Sequence, residues 1–217
     1  MPPPRLSRKE QQARTRDELM EAAVRVLSRR GLDGGSVEEI AAEAGYTKGA
    51  FYANFASKEE LFLAMLDRRF AERVKEVDRL VGGSEEDVEN AVRDAGDEFS
   101  RYVASDPEWQ RLFFEFAGRA ARDEHFRVEL VARYRALRDR IADAYAQRVG
   151  EFGIEPPLPP DEVALMTFAM GNGVALEKLL EPDAVPDELY GTMLAIFFRG
   201  LRALAEDAQA SAPAAAA

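Results

Sequence analysis

Apolar residues recur along this chain at helical spacing, and almost nothing in it alternates as a strand would. Between residues 15 and 30, Leu19, Ala22, Ala23, Val26 and Leu27 fall at i, i+3, i+4, i+7 and i+8. That is the stripe of an amphipathic helix, and Gly31 ends it. Two short segments follow. In the first, Ser36 and Glu39 form a capping box and Val37, Ile40, Ala41 and Ala44 follow at helical spacing. Gly45 takes the left-handed backbone of a tight turn, with Tyr46 beside it as an apolar plug. Thr47 caps the second segment, which runs to Phe55. Ser57 with Glu60 is a further capping box, opening a helix that continues through Leu61, Phe62, Met65, Leu66, Phe70, Val74 and Val77. This helix is expected to link two domains. Gly82 and Gly83 end it, and Ser84 with Asp87 opens the next.

The rest of the chain predicts five helices, at about 85–104, 107–122, 124–150, 160–181 and 187–207. Pro107 stands at a first helical turn, and residues 155–160 form a proline-rich linker. Residues 163–176 are apolar all round, which marks a helix buried on more than one face. The last helix carries a stripe that includes Met193, Ile196, Phe197 and Leu201. Pairing these two helices with their copies in a second chain gives a four-helix bundle, with Leu165, Ala169, Leu176, Met193, Ile196, Phe197 and Leu201 at the interface. Gly171 and Gly173 are expected to allow close approach there.

Counting from Val37, Ala41 is fifth, Gly45 ninth and the apolar Phe51 fifteenth, the spacing of a helix-turn-helix DNA reader. Residues 47–62 also carry the pattern Lys-Gly-x-x-Tyr-x-x-Phe-x-x-Lys-x-x-Leu, from Lys48 to Leu61. This stretch resembles the recognition helix and following cap of the TetR family of bacterial transcriptional regulators. Residues 13–72 resemble that family's DNA-binding domain, and Asn54 departs from it where many members carry histidine. The expected fold is all-α: a three-helix DNA-binding domain and a helical ligand-binding and dimerisation domain, about nine helices in all. The expected divisions are a basic arm at 1–12, the reader at 13–73, the second domain at 74–207 and a disordered alanine-rich tail at 208–217.

The net charge of −11 argues at first against a polyanionic partner. Its distribution reverses that. Residues 1–75 sum to +2 and the remainder to −13, and five basic side chains against one acid lie within residues 1–16. Attraction to DNA is therefore local. With no cysteine and a single histidine, disulfide frameworks and Cys or multi-His zinc sites are excluded. His125 beside Glu124 lacks ligand spacing. No nucleophile-base pair, phosphate loop or metal spacing marks an enzyme, and no cofactor is expected. Without an apolar leader or a long apolar run, a cytoplasmic protein is expected.

The expected DNA contacts are Ser36, Thr47, Lys48, Gly49, Ala50, Tyr52, Asn54 and Lys58. Thr47 to Ala50 form the first turn of the reader, and their small size lets a backbone come close. Lys48 and Tyr52 share a face at i and i+4 and reach phosphate oxygens. The resemblance implies phosphate contacts for Tyr52 and Lys58. It also implies a homodimer on a palindromic operator, acting as a repressor released by a small apolar or aromatic effector. An activator or an effector-independent regulator keeps the same reader. A protein-interaction module has no need of Lys48, Tyr52 and Lys58 as phosphate donors. The candidate effector pocket is Tyr102, Phe113, Phe116, Tyr134, Phe168 and Asn172.

Overall fold

The computed structural model describes residues 7–79 and 85–211. Within them the chain forms nine α-helices and no strand: α1 (Arg8–Gly34), α2 (Val37–Glu43), α3 (Lys48–Tyr52), α4 (Lys58–Arg79), α5 (Glu85–Ser105), α6 (Pro107–Ala120), α7 (Glu124–Glu151), α8 (Pro160–Leu180) and α9 (Leu189–Ser211). A short 3-10 turn, Pro182–Ala184, precedes α9. The expected stop at Gly82 and Gly83 and the cap residue Ser84 lie outside the described residues, while its expected partner Asp87 falls in the first turn of α5.

Local chemistry sets the ends of the first helices. Ser7 and Glu10 form a capping box, so α1 begins at Arg8, about two turns earlier than the apolar stripe predicts. Residues 8–12, expected as an arm, are helical. Gly31 leaves helical geometry at φ 73°, as its position after the stripe predicts. The α2 to α3 turn is a Schellman motif. The Tyr46 N–H bonds the Ala41 carbonyl at 2.7 Å and the Gly45 N–H bonds that of Ala42 at 3.0 Å, with Gly45 at φ 77°. At α4, Ser57 accepts from the Glu60 amide at 3.1 Å, but Glu60 reaches past the cap to the Ala56 amide at 2.6 Å. At the other end α9 continues to Ser211, so residues 208–211 are helical rather than tail.

The chain divides into two compact units, and the division does not follow a single cut. The first runs to Arg69 and also contains Glu108–Val131; the second contains Phe70–Pro107 and everything from Ala132. The sequence-based boundary after residue 73 differs in leaving α6 and the first turns of α7 with the second domain. Aromatic packing explains their place. Phe62 of α4, fully buried, stacks on Phe116 with centroids 3.7 Å apart and on Trp109 at 5.5 Å. Leu19, Ile40, Phe51, Phe55, Leu61 and Leu66 complete this core.

In the second unit α5 packs on α9 through two glycines: a Cβ on Gly96 would stand 2.6 Å from the Gly191 Cα. Val92, Val174, Val185, Tyr190 and Leu194 form the cluster around this crossing. Gly171 belongs to the same interior, since a Cβ there would lie 3.1 Å from the Tyr190 hydroxyl. Its expected place at a dimer interface is thereby corrected. Gly173 meets open space. α8 is long and apolar enough to cross a membrane by composition. Its Val163, Ala164, Thr167, Gly171, Val174 and Ala175 are buried, which accounts for part of that apolarity.

Candidate nucleic-acid interface

α3 is five residues long, too short to be stable alone. It is held from inside by Phe51 and Phe55, at 0% and 1% exposure, whose rings lie 5.8 Å apart. Thr47 caps it by accepting from the Ala50 amide at 3.2 Å. With that anchor, Thr47, Lys48, Gly49 and Tyr52 all face solvent and Ala50 is half-buried. The Tyr52 ring stands edge-on to Phe51 at 5.5 Å and remains half exposed, so its hydroxyl is carried outward on a buried base.

Lys48 is not idle in the unbound protein. Its ammonium pairs with the Glu38 carboxylate of α2 and lies 5.8 Å from the Tyr52 ring centroid. The hydrogen bond with Glu38 raises the lysine above its ordinary range and lowers the glutamate. Gly49 has no internal reason to be glycine. A Cβ there would meet only Thr47 Oγ1, at 3.7 Å.

Three expected contacts, all half-buried, are engaged within the protein. Lys58 donates to the carbonyls of Leu32 at 2.6 Å and Gly35 at 2.8 Å, so two of its three N–H bonds close the turn after α1. Asn54 donates through Nδ2 to the Ala50 carbonyl at 2.8 Å, and its Oδ1 is buried with no hydrogen-bond partner among the described residues. Ser36 is committed to Glu39, accepting from its amide at 3.1 Å and donating to its carboxylate at 3.2 Å. Of the expected contacts, Thr47, Lys48, Gly49 and Tyr52 form the exposed surface, with Ala50 at its edge.

Residues that carry no helix-turn-helix signature hold this surface in place. Arg16 donates to the Asn54 carbonyl, and its guanidinium sits 4.2 Å from the Phe55 ring centroid. Thr15 donates to the Tyr46 hydroxyl at 3.3 Å, and that hydroxyl donates to Glu18. Tyr46 is thus a polar joint rather than an apolar plug. From α6, Glu115 accepts from the Leu32 amide at 2.6 Å and Arg119 pairs with Glu59 at 3.1 Å. In the sequence Arg16 is visible only as one of several basic residues. Glu115 carries no local signal at all.

The six effector-pocket candidates fall in different units. Phe113 and Phe116 belong to the first, and Phe116, at 0% exposure under Phe62, is core rather than lining. Tyr102, Tyr134, Phe168 and Asn172 belong to the second. There Tyr134 lies edge-on to Phe168 at 5.0 Å and 5.9 Å from Phe70, and burial pushes its hydroxyl well above the ordinary tyrosine range. Arg73 lies 4.4 Å from the Tyr102 ring centroid.

Of the proposed interface residues, Leu165, Ala169, Leu176 and Ile196 are exposed, Ile196 by 68%. Phe197 is half-buried. Leu201, at 5% exposure, belongs to the interior, and Met193 packs against the Tyr190 cluster. Met166, Leu180 and Leu204, the last of these part of the stripe read on the final helix, are exposed as well.

Residues 19–65 match the family of bacterial regulatory proteins of the tetR type, and residues 88–206 match the C-terminal domain of BetI-type transcriptional repressors. The transcriptional repressor SCO4008 of Streptomyces coelicolor is 30% identical over 167 residues, which covers 73% of this chain and 77% of that protein. The transcriptional regulator YfiR of Bacillus subtilis is 22% identical over 180 residues, 79% of this chain and 83% of the other. Among solved structures, the fatty acid degradation regulator FadR from Bacillus halodurans superposes with a TM-score of 0.72 at 15% identity, covering 86% of this chain and 95% of that one. At that identity the likeness shows the fold alone.

Proposed function

Because this chain belongs to the TetR family of bacterial regulatory proteins, and is accordingly a DNA-binding transcriptional regulator, we propose that it is a homodimeric repressor of a palindromic operator, released by a small apolar or aromatic effector. The observation that carries the DNA-contact reading is Gly49. A glycine inside a helix costs roughly 1 kcal/mol relative to alanine. Among the described residues nothing crowds this one, since the nearest atom to a methyl placed on its Cα is a side-chain oxygen at van der Waals distance. A duplex backbone or base edge approaching α3 supplies the missing reason. Thr47 and Lys48 then face bases and phosphates, and Tyr52 donates to a phosphate oxygen from its buried base.

A reader this small needs a second copy about one turn of DNA away, ~34 to 36 Å. The exposed apolar residues on α8 and α9 support self-association, with Leu165, Ala169, Leu176 and Ile196 at its centre. Tyr102, Tyr134, Phe168 and Asn172 are the residues proposed to meet the effector. The test is binding to the DNA upstream of the protein's own gene, wild type against Lys48→Ala and Tyr52→Phe. Both variants weaken a sequence-specific complex. Equal, weak and sequence-indifferent binding by wild type and Lys48→Ala at physiological salt would overturn the reading. Thermal-shift screening against aromatic metabolites, lipophilic cations and acyl thioesters tests the effector class.

A further inference from the structure

Arg8, Gln11, Gln12 and Thr15 stand at i, i+3, i+4 and i+7, so they share one side of α1. Together with Ala50 and Ala53 at α3 they border an open groove of about 680 Å³. Two joints fix the spacing of its walls. Thr15 bonds the Tyr46 hydroxyl, and Arg16 bonds the Asn54 carbonyl while stacking on Phe55. The first turns of α1 therefore cannot shift away from α3 without breaking these contacts. Wherever α3 lies on a duplex, this face of α1 is carried beside it.

Ala50 and Ala53, which border the groove, belong to the same short capped helix as the exposed Thr47, Lys48 and Tyr52. Its α1 wall offers a guanidinium and two primary amides, all exposed. These are donors of the kind that phosphate oxygens, which only accept, require. The local charge agrees: Arg8, Lys9, Arg14 and Arg16 stand against Glu10 in this stretch. We infer that this lateral face of α1 is a second DNA-contacting surface, in which Arg8, Gln11 and Gln12 donate to phosphates of the strand bordering the major-groove segment occupied by α3. It rests on the DNA-binding reading above and adds a contact outside the helix-turn-helix. Arg8 supplies charge and direction, and the two amides supply register without charge.

The test uses the full chain and the DNA upstream of its own gene, with affinity measured by fluorescence anisotropy over a range of salt. Arg8→Ala is expected to lower affinity about tenfold and to make the slope of log K against log salt shallower by about 1. Gln11→Ala with Gln12→Ala is expected to lower affinity about tenfold with the slope unchanged, since no charge is lost. Lys9→Ala removes the same charge from a position about 100° around the helix and is expected to cost less than about threefold. Phosphate ethylation that interferes with wild-type binding beside the α3 site should cease to interfere in the Arg8 and double-glutamine variants. Equal losses for Arg8→Ala and Lys9→Ala would reduce the face to general electrostatics and overturn the inference. So would wild-type affinity in the double-glutamine variant. If Lys48→Ala loses specific binding while the α1 variants do not, the inference fails and the DNA-binding reading stands. If wild type shows no specific binding, both fail.

Discussion

Glu115 of α6 accepts a hydrogen bond from the Leu32 main-chain N–H at 2.6 Å, across 83 residues of sequence. On the other side of the same turn, Lys58 of α4 donates to the carbonyls of Leu32 and Gly35. The segment that joins α1 to α2 is thus held by its N–H from one helix and by its carbonyls from another. Backbone groups here have no helix or sheet ladder to satisfy them, so side chains do it.

Removing either clamp leaves a partly buried backbone group without its partner. Glu115→Ala is expected to lower stability by about 1–2 kcal/mol, and Lys58→Ala by about 1.5–3 kcal/mol because a charged donor is lost. Both clamp one turn, so the double variant should depart from additivity by at least about 0.5 kcal/mol. Urea denaturation followed by circular dichroism measures all three. Strict additivity would mean that the two clamps do not share a turn in solution.

Gly49→Ala separates folding from recognition. With room for a methyl beside Thr47 Oγ1 at 3.7 Å, the variant should fold and gain up to about 1 kcal/mol of stability. Operator affinity should fall at least about tenfold if DNA occupies the space above it. A thermal melt and a binding isotherm on the same preparation decide it. Unchanged affinity would return Gly49 to an unexplained residue.

Glu38 already holds Lys48 in an ion pair, so in the proposed complex it would compete with DNA for that lysine. Glu38→Gln removes the ion pair and one negative charge beside Lys48, and affinity should rise by roughly two- to fivefold. Lys48→Ala should move it in the opposite direction. Anisotropy titrations in low and physiological salt check both signs, and the gain should shrink as salt screens the charge.

Ile196→Glu and Leu165→Glu place charges on exposed apolar positions of α9 and α8, at 68% and 49% exposure. They should yield a monomer of unchanged helicity by size exclusion with light scattering. Leu201→Glu, at 5% exposure, should unfold the second unit instead. Gly96→Ala should do likewise, because its methyl meets the Gly191 backbone at 2.6 Å. Overpacking of that kind costs about 1–3 kcal/mol or more.

Several carboxylates of the first unit are held below their usual range. Glu18 is lowered by the Tyr46 hydrogen bond and by Arg14, Glu39 by the Ser36 amide, and Glu43 by Arg25 and Arg29. A lowered folded-state value means stability that is full above the unfolded carboxylate range, near pH 4, and lost as pH falls through the folded values below it. The melting temperature of wild type should therefore fall as pH drops below about 4.5. In Glu39→Gln it starts lower and falls less steeply.

Apart from the early start of α1, the sequence by itself determined the caps at Ser36 and Thr47, the glycine turn at Gly45, the break at Gly31 and, within a few residues, the helices found among the described residues. Each of these is decided by residues within four or five positions, where backbone N–H groups find a neighbouring Ser, Thr or Glu and periodicity reports the buried stripe. The same locality let Phe51 and Phe55 be read as core and the exposed turn of α3 as a reader. Tertiary structure alone decided which way Lys58 points, because its partners, Leu32 and Gly35, lie more than twenty residues away, and it alone brought Arg16 to the Asn54 carbonyl, 38 residues on. It also decided that Phe116 fills a core, that α6 packs with the first unit, and that Leu201 faces inward while Ile196 faces out. An aromatic or aliphatic side chain has the same composition in a core, a cavity wall or an interface, and only the atoms packed around it assign its place.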